Sequence, residues 1–296
     1  MAEQIDPFEA LRRPVVPRRP RPQFAVVLER RLREELHMPM VDDLTPDDTA
    51  DEAVRTHGSL GLVHLRASDA DRAMAFFGEL FGWVGERWAS DHVSHYVLNT
   101  RVTVRLLDDP NAAPVRPNYV VDDVGMAIAA IEASGGRVSD TDASSDGGGW
   151  AYAEDGEGVP LVVYRPSGDS HAESDAPVSG DVGLVFVTED ADAARRFYGT
   201  VLGWPFVVPH PGSWYFDTVE HVGVFDEHAA FGTRDPASVV LYLEVPALHP
   251  ALARLVELGG TSAPAPEEPN MGPYFSVLCT DDQGTRFGLM AQSLDA

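Results

Sequence analysis

The chain has no lysine and one cysteine, Cys279, in 296 residues. A single thiol excludes an intrachain disulfide and any zinc site built on cysteine clusters, and it points to a reducing, cytoplasmic compartment. Without lysine there is no phosphate-cradling glycine loop of the usual kind. The sequence also holds no Gly-x-Ser-x-Gly elbow and no His-Glu-x-x-His pair, so nucleotide hydrolysis, serine hydrolysis and zinc proteolysis have no support. No run approaches the roughly 18 apolar residues of a membrane span, and the first residues lack the apolar block of a signal peptide. Positive charge is scarce: 22 basic residues, all arginine, stand against 47 acidic ones, for a net charge of -25. Such a surface repels nucleic acid and anionic membrane before contact, so neither is an expected partner.

What is present suffices for folding. Hydrophobic residues make up 44% and charged residues 23%, enough apolar mass for cores. The length suits two domains and an extension. Residues 1–57 form a basic arm, with prolines at 7, 14, 17, 20 and 22 among arginines, then an amphipathic helical pattern through Phe24, Val27, Leu28, Leu32 and Leu36, then an acidic tether. The helix is expected to dock on the chain's own body or on a partner. Residues 166–180, polar and without periodicity, read as a linker between domains at 58–165 and 181–296.

An internal repeat is the strongest signal. Residues 69–83, DADRAMAFFGELFGW, share eight identities in fifteen with residues 190–204, DADAARRFYGTVLGW. In each, an Asp N-cap opens a helix, an aromatic pair marks its buried stripe, and Gly82 or Gly203 ends it. Residues 121–136 match 245–260 as strand end, helix and Gly-Gly stop, and 154–164 match 280–290 as an acidic glycine turn entering a strand. Between these marks lie strand-like runs at 61–67, 94–99, 101–107, 118–121, 183–187, 213–217, 221–225 and 239–245. Each copy is therefore strand, helix and several strands, twice over, which is an α+β class with helices outside a curved sheet.

That order, with the Asp, Phe-Phe or Phe-Tyr, and Gly-Trp marks, resembles the vicinal oxygen chelate superfamily, closest to its two-domain glyoxalase, bleomycin-resistance and dioxygenase-like members. The resemblance implies two tandem glyoxalase-like domains, each a pair of βαβββ units curled into an open cup. It also implies a divalent metal held by His and Glu side chains inside the cup. The corresponding positions are Leu62, Arg116 and Val162 in the first copy and Gly183, Val240 and Gly288 in the second, with a further site near Leu106 and Phe225 or their neighbours. None of the six placed residues can donate to a metal, and the charge of Arg116 would repel one. No metal and no other cofactor are expected.

His64 shares a strand face with Leu62 and is a candidate catalytic base or ligand contact, although a hydrogen-bonded cavity histidine explains it as well. His92 and His95 lie on opposite faces of a strand and are not expected to share a metal. Asn118, Tyr242 and Glu244 fall on the cup wall by parity, and Glu244 is the second candidate for acid–base work or else a solvent-facing strand end. Tyr96, Trp150, Trp214 and Tyr274 offer flat surfaces for an aromatic ligand, while Trp83 and Trp204, present in both copies, read as core. The expected activity is metal-independent binding of a hydrophobic or aromatic metabolite or antibiotic, for sequestration or sensing. Two alternatives stand beside it: an enzyme of the superfamily (lyase, isomerase or extradiol-type dioxygenase) using a displaced metal or acid–base residues, and a protein-interaction module using the N-terminal helix. The domains are expected to complete their pairing within one chain or across a homodimer.

Overall fold

The computed structural model describes residues 56–89, 92–166, 182–207, 213–217, 221–226, 238–271 and 273–295. The arm's helix and tether, and most of the linker, lie outside the described residues. The first half runs β1 (Leu60–Arg66), α1 (Ala70–Phe81), β2 (Gly85–Ala89), β3 (Val93–Val97), β4 (Thr103–Leu107), β5 (Val115–Val120), α2 (Val124–Ala133), β6 (Arg137–Thr141), β7 (Gly149–Glu154) and β8 (Pro160–Arg165). The second runs β9 (Val182–Val187), α3 (Ala191–Leu202), β10 (Phe206–Val207), β11 (Ser213–Asp217), β12 (His221–Asp226), β13 (Ser238–Glu244), α4 (Leu248–Glu257), β14 (Thr261–Ser262), β15 (Phe275–Thr280) and β16 (Arg286–Ala291).

The strands form two eight-stranded sheets of identical order, β2-β3-β4-β1-β5-β8-β7-β6 and β10-β11-β12-β9-β13-β16-β15-β14. Each is two βαβββ units joined at a central antiparallel pair, β1 with β5 and β9 with β13. The last strand of each unit in chain order pairs in parallel with the opening strand, as β4 does with β1 and β8 with β5. This is the α+β architecture that the repeat predicts.

Local chemistry sets the helices. Asp69, Asp123 and Asp190 are extended N-caps whose carboxylates accept from the N–H groups of Arg72, Met126 and Ala193, satisfying donors that a helix start leaves open. Gly82 and Gly203 close α1 and α3 at φ of 70° and 68°, a left-handed conformation that costs a glycine nothing. The start of α4 lacks a capping side chain, and the backbone of the final segment helps there: Leu248 and His249 donate to the carbonyls of Ser293 and Leu294.

The alternating residues of each strand divide the sheets into two faces. Val63, Leu65, Val104, Leu106, Val115 and Tyr119 turn toward the helices and join one core shared with Leu184, Phe186, Leu241, Leu243, Phe287 and Leu289 of the second half. Phe77 of α1 meets Phe287 of β16 edge to face at 5.2 Å, and Tyr119 meets Trp204 at 5.1 Å. The halves also finish one another's helices. Glu157, in the turn before β8, accepts from Thr188 Oγ1 and from the N–H groups of Glu189 and Asp190 at the start of α3. In the reverse sense, Gln283 before β16 donates to the Asp69 carbonyl and Asp282 pairs with Arg72 at the start of α1. Trp83 and Trp204 are buried in this core.

Candidate ligand cups

The faces turned away from the shared core are the cups. In the first, the register brings Tyr96, Arg105, His64 and Arg116 into one row across β3, β4, β1 and β5. The adjacent row carries Thr103, Leu62, Asn118, Val162 and Tyr152, with Asp140 of the edge strand β6 paired to Tyr152. Trp150 and Tyr164 form the next pair. Thr103, Arg105, Arg116 and Tyr152 are half-buried, as side chains lining an open cup should be.

Two guanidiniums rest on two tyrosine rings: Arg105 lies 5.1 Å from the centroid of Tyr96, and Arg116 lies 4.8 Å from that of Tyr152. The contact between a cation and an aromatic face fixes these arginines without consuming their in-plane donors. Neither makes an ion pair with a described carboxylate, and Arg105 Nε is buried with no hydrogen-bond partner. Between them His64 is 7% exposed and its Nε2 also lacks a partner. Burial first, then the fields of Arg105 and Arg116, pull the imidazole down to about 3, so it is neutral at physiological pH. Asn118 donates to the Arg116 carbonyl. At the rim, Glu86, Trp88, Tyr96 and Leu98 line a groove, with Trp88 58% exposed.

The second cup has another filling. In the register of the first, Val224, Val185 and Val240 occupy the places of Arg105, His64 and Arg116. Gly183, Tyr242, Gly288 and Leu278 stand where the first has Leu62, Asn118, Val162 and Tyr152. Val185, Val240, Tyr242, Met271 and Met290 form a buried apolar cluster against which Tyr274 and Leu278 pack. Tyr242 is fully buried and lies across Gly288, where a Cβ would overlap its ring. Tyr242 therefore fills this cup. Tyr274 donor–acceptor chemistry is at the edge, where Gln292 Nε2 reaches its hydroxyl at 3.4 Å.

The sequence-named residues thus separate. His64, Tyr96, Asn118 and Trp150 belong to the first cup; Tyr242, Tyr274 and the half-buried Glu244 belong to the second sheet. For Trp214 only the backbone, in β11, is described. Of the position expected at Leu106 or its neighbours, Leu106 itself turns into the core, because it is one residue out of phase with the cup face, and its neighbour Arg105 is the cup residue. Arg105 and Tyr152 were not singled out from the sequence. The alternation Val102, Val104, Leu106 against Thr103 and Arg105 carries the signal for the first. His92 lies near Asp108 and Asp109, whereas His95 hydrogen-bonds to Asp71 at 2.6 Å beside α1, so they point apart. Burial pushes the Cys279 thiol up to about 12, which leaves it unreactive.

The metal that the fold implies does not fit these side chains. Leucine, valine and glycine cannot donate, and two guanidiniums without an ion-pair partner among the described residues oppose a cation at the first cup. Among the described residues no three His, Cys, Asp or Glu side chains are grouped to hold an ion. Nor, among them, is any helix long and apolar enough to cross a membrane.

Comparison with known proteins agrees with the architecture. Residues 183–290 match the glyoxalase-like domain family. No curated protein sequence matches the chain. The 2,3-dioxygenase LapB from Pseudomonas sp. KL28 superposes with a TM-score of 0.59 at 13% identity, covering 82% of this chain and 95% of that one. A Mn(II)-bound glyoxalase from Novosphingobium aromaticivorans gives 0.58 at 14%, covering 81% and 84%. A catechol 2,3-dioxygenase gives 0.57 at 14%, covering 81% and 90%. The chain therefore has the paired-sheet fold of these dioxygenases and of the glyoxalase, and its residues 183–290 are similar to the glyoxalase-like domain family.

Proposed function

We propose that the chain is a metal-independent small-molecule binding protein of the glyoxalase and bleomycin-resistance type, acting in the cytoplasm to sequester or sense a metabolite or antibiotic. Its domains would span 58–165 and 181–296, and its working site would be the first cup. The observation that carries this reading is the pair Arg105 and Arg116 on either side of His64, at the centre of a cup where the fold otherwise seats a cation. Aromatic walls at Tyr96, Trp150 and Tyr152 add the flat apolar surface of a ligand pocket.

A second reading rests on the relatives. Dioxygenases and a Mn(II)-bound glyoxalase share this fold, and on that ground an enzyme is at least as well supported as a binder. Within it, His64 and Glu244 are the acid–base candidates. One experiment separates the two: metal analysis of protein purified without chelator, with thermal shifts in Mn, Zn, Ni and Fe(II). Substoichiometric metal and unchanged melting support the binder. One tightly held ion per chain, with a raised melting temperature, overturns it in favour of the enzyme.

A further inference from the structure

The body of this protein is acidic, and its exposed arginines are largely spent on carboxylates: Arg72 on Asp282, Arg87 on Asp71, Arg137 on Glu154, and Arg254 on Glu79 and Glu257. Arg105 and Arg116 are the contrast. They are half-buried, have no described carboxylate partner, and flank a histidine whose Nε2 is buried without a hydrogen bond. Leaving buried polar atoms unsatisfied is costly, so a chain that sets two of them, Arg105 Nε and His64 Nε2, on adjacent strands beside the Arg116 guanidinium has a reason outside its own packing. The carboxylate of the same row, Glu86, lies on the edge strand two strands out from Arg105, about 10 Å away at ordinary strand spacing.

We propose that the first cup binds a small planar organic anion, an aromatic carboxylate, seated between Arg105 and Arg116 over His64 Nε2 with its ring against Tyr96, Tyr152 and Trp150. The inference rests on the binding reading above and names its ligand class. A carboxylate is matched by the guanidinium forks, which donate paired N–H groups to its two oxygens. Neutral His64 adds one N–H donor in the tautomer protonated at Nε2. The tyrosines that hold the arginines from one side leave flat surface for the ring. The apolar second cup, with Val224, Val185 and Val240 in the same register, offers no such charge.

The test is calorimetric titration of the full chain with benzoate, 1-naphthoate, benzyl alcohol and inorganic phosphate. It uses wild type, Arg105→Gln, Arg116→Gln and, as control, Arg137→Gln at the exposed β6 edge. The expected result is one saturable aromatic-carboxylate site per chain. Each cup variant should weaken it roughly ten- to hundredfold, with Arg137→Gln unchanged. Unfolding midpoints within a few degrees of wild type verify that the variants fold. No saturation by either carboxylate up to about 10 mM overturns the proposal, as does equal binding to the cup variants. Phosphate binding as tightly as the carboxylates overturns the aromatic part. Benzyl alcohol binding with the carboxylates silent sinks the anion inference and leaves the binding reading standing, whereas carboxylate binding that vanishes with chelator sinks both.

Discussion

The two cups share a backbone register and almost nothing else. Across adjacent strands one presents Arg105, His64 and Arg116, and the other Val185 and Val240, with Val224 in backbone register beside Val185. In the next row Gly288 of the second cup makes room for the Tyr242 ring, where the first has Val162 beside Asn118. Both sheets draw their stability from the opposite face, through the common core of helices and inward strand residues. Because successive side chains alternate between faces, the cup residues are released from the folding problem and can be charged in one sheet and greasy in the other. The sequence match to the glyoxalase-like family falls on the apolar half, while the arginine pair falls on the other.

The contrast is most severely tested at Gly288. Gly288→Val introduces the side chain that the first cup carries at Val162, and it should cost about 3 kcal/mol or more by overlap with buried Tyr242, read by denaturant unfolding. Unchanged stability would mean that Tyr242 does not occupy the cup as described. A residue exchange comes next. Val185→His places an imidazole in the apolar cluster and should destabilise by roughly 2 kcal/mol, whereas His64→Val removes an unpartnered buried group and should be neutral or stabilising.

Proton linkage sharpens the comparison further. The folded-state value of His64 is about 3, below the ordinary 6.5 of an unfolded chain, so between these limits the unfolded state holds the extra proton. His64 stability is therefore fully present above about pH 6.5 and is lost as pH falls toward 3, with a slope of at most about 1.4 kcal/mol per pH unit. His64→Gln should flatten wild-type stability between pH 6.5 and 4 relative to the native chain, whereas a parallel profile would contradict the burial. The smallest effect belongs to a conservative change in the equivalent turns at Asp155 and Asp281. Each carboxylate accepts two backbone N–H groups, yet burial is the main cause raising it above the usual carboxylate range. A raised carboxyl contributes stability at low pH that fades as pH rises. Asp155→Asn, which keeps the turn acceptor, should change neutral-pH stability by less than about 1 kcal/mol, and Asp155→Ala should lose roughly 1 to 3 kcal/mol by chemical unfolding.

The fold was legible because its marks are local: Asp69 and Asp190 cap, Gly82 and Gly203 terminate, and the aromatic pairs between them recur. Strands such as β4 and β9 showed as apolar alternation or as a continuous apolar run. Edge strands β2 and β6 did not, since Gly85 to Trp88 are exposed on both faces and RVSDT half-buries Val138 alone, which leaves no hydrophobic period. The cup was legible only in part. Parity along one strand put His64 and Asn118 on the correct face, but finding Arg105 beside His64 requires the parallel pairing of β4 with β1, a long-range register that no local pattern encodes. Aromatic residues were the least informative, because Tyr242 as plug and Tyr152 as support for Arg116 have the same composition and differ only in what lies beneath them.

The reciprocal contacts at the helix starts bear on how this polypeptide is to be handled. Glu157 completes α3 and Asp282 steadies α1, each from the other side of the connecting segment. Severing the chain there and expressing either piece alone would strip a greasy flank and leave a frayed helical entrance, so co-expression of both fragments is the sounder route to dissecting them.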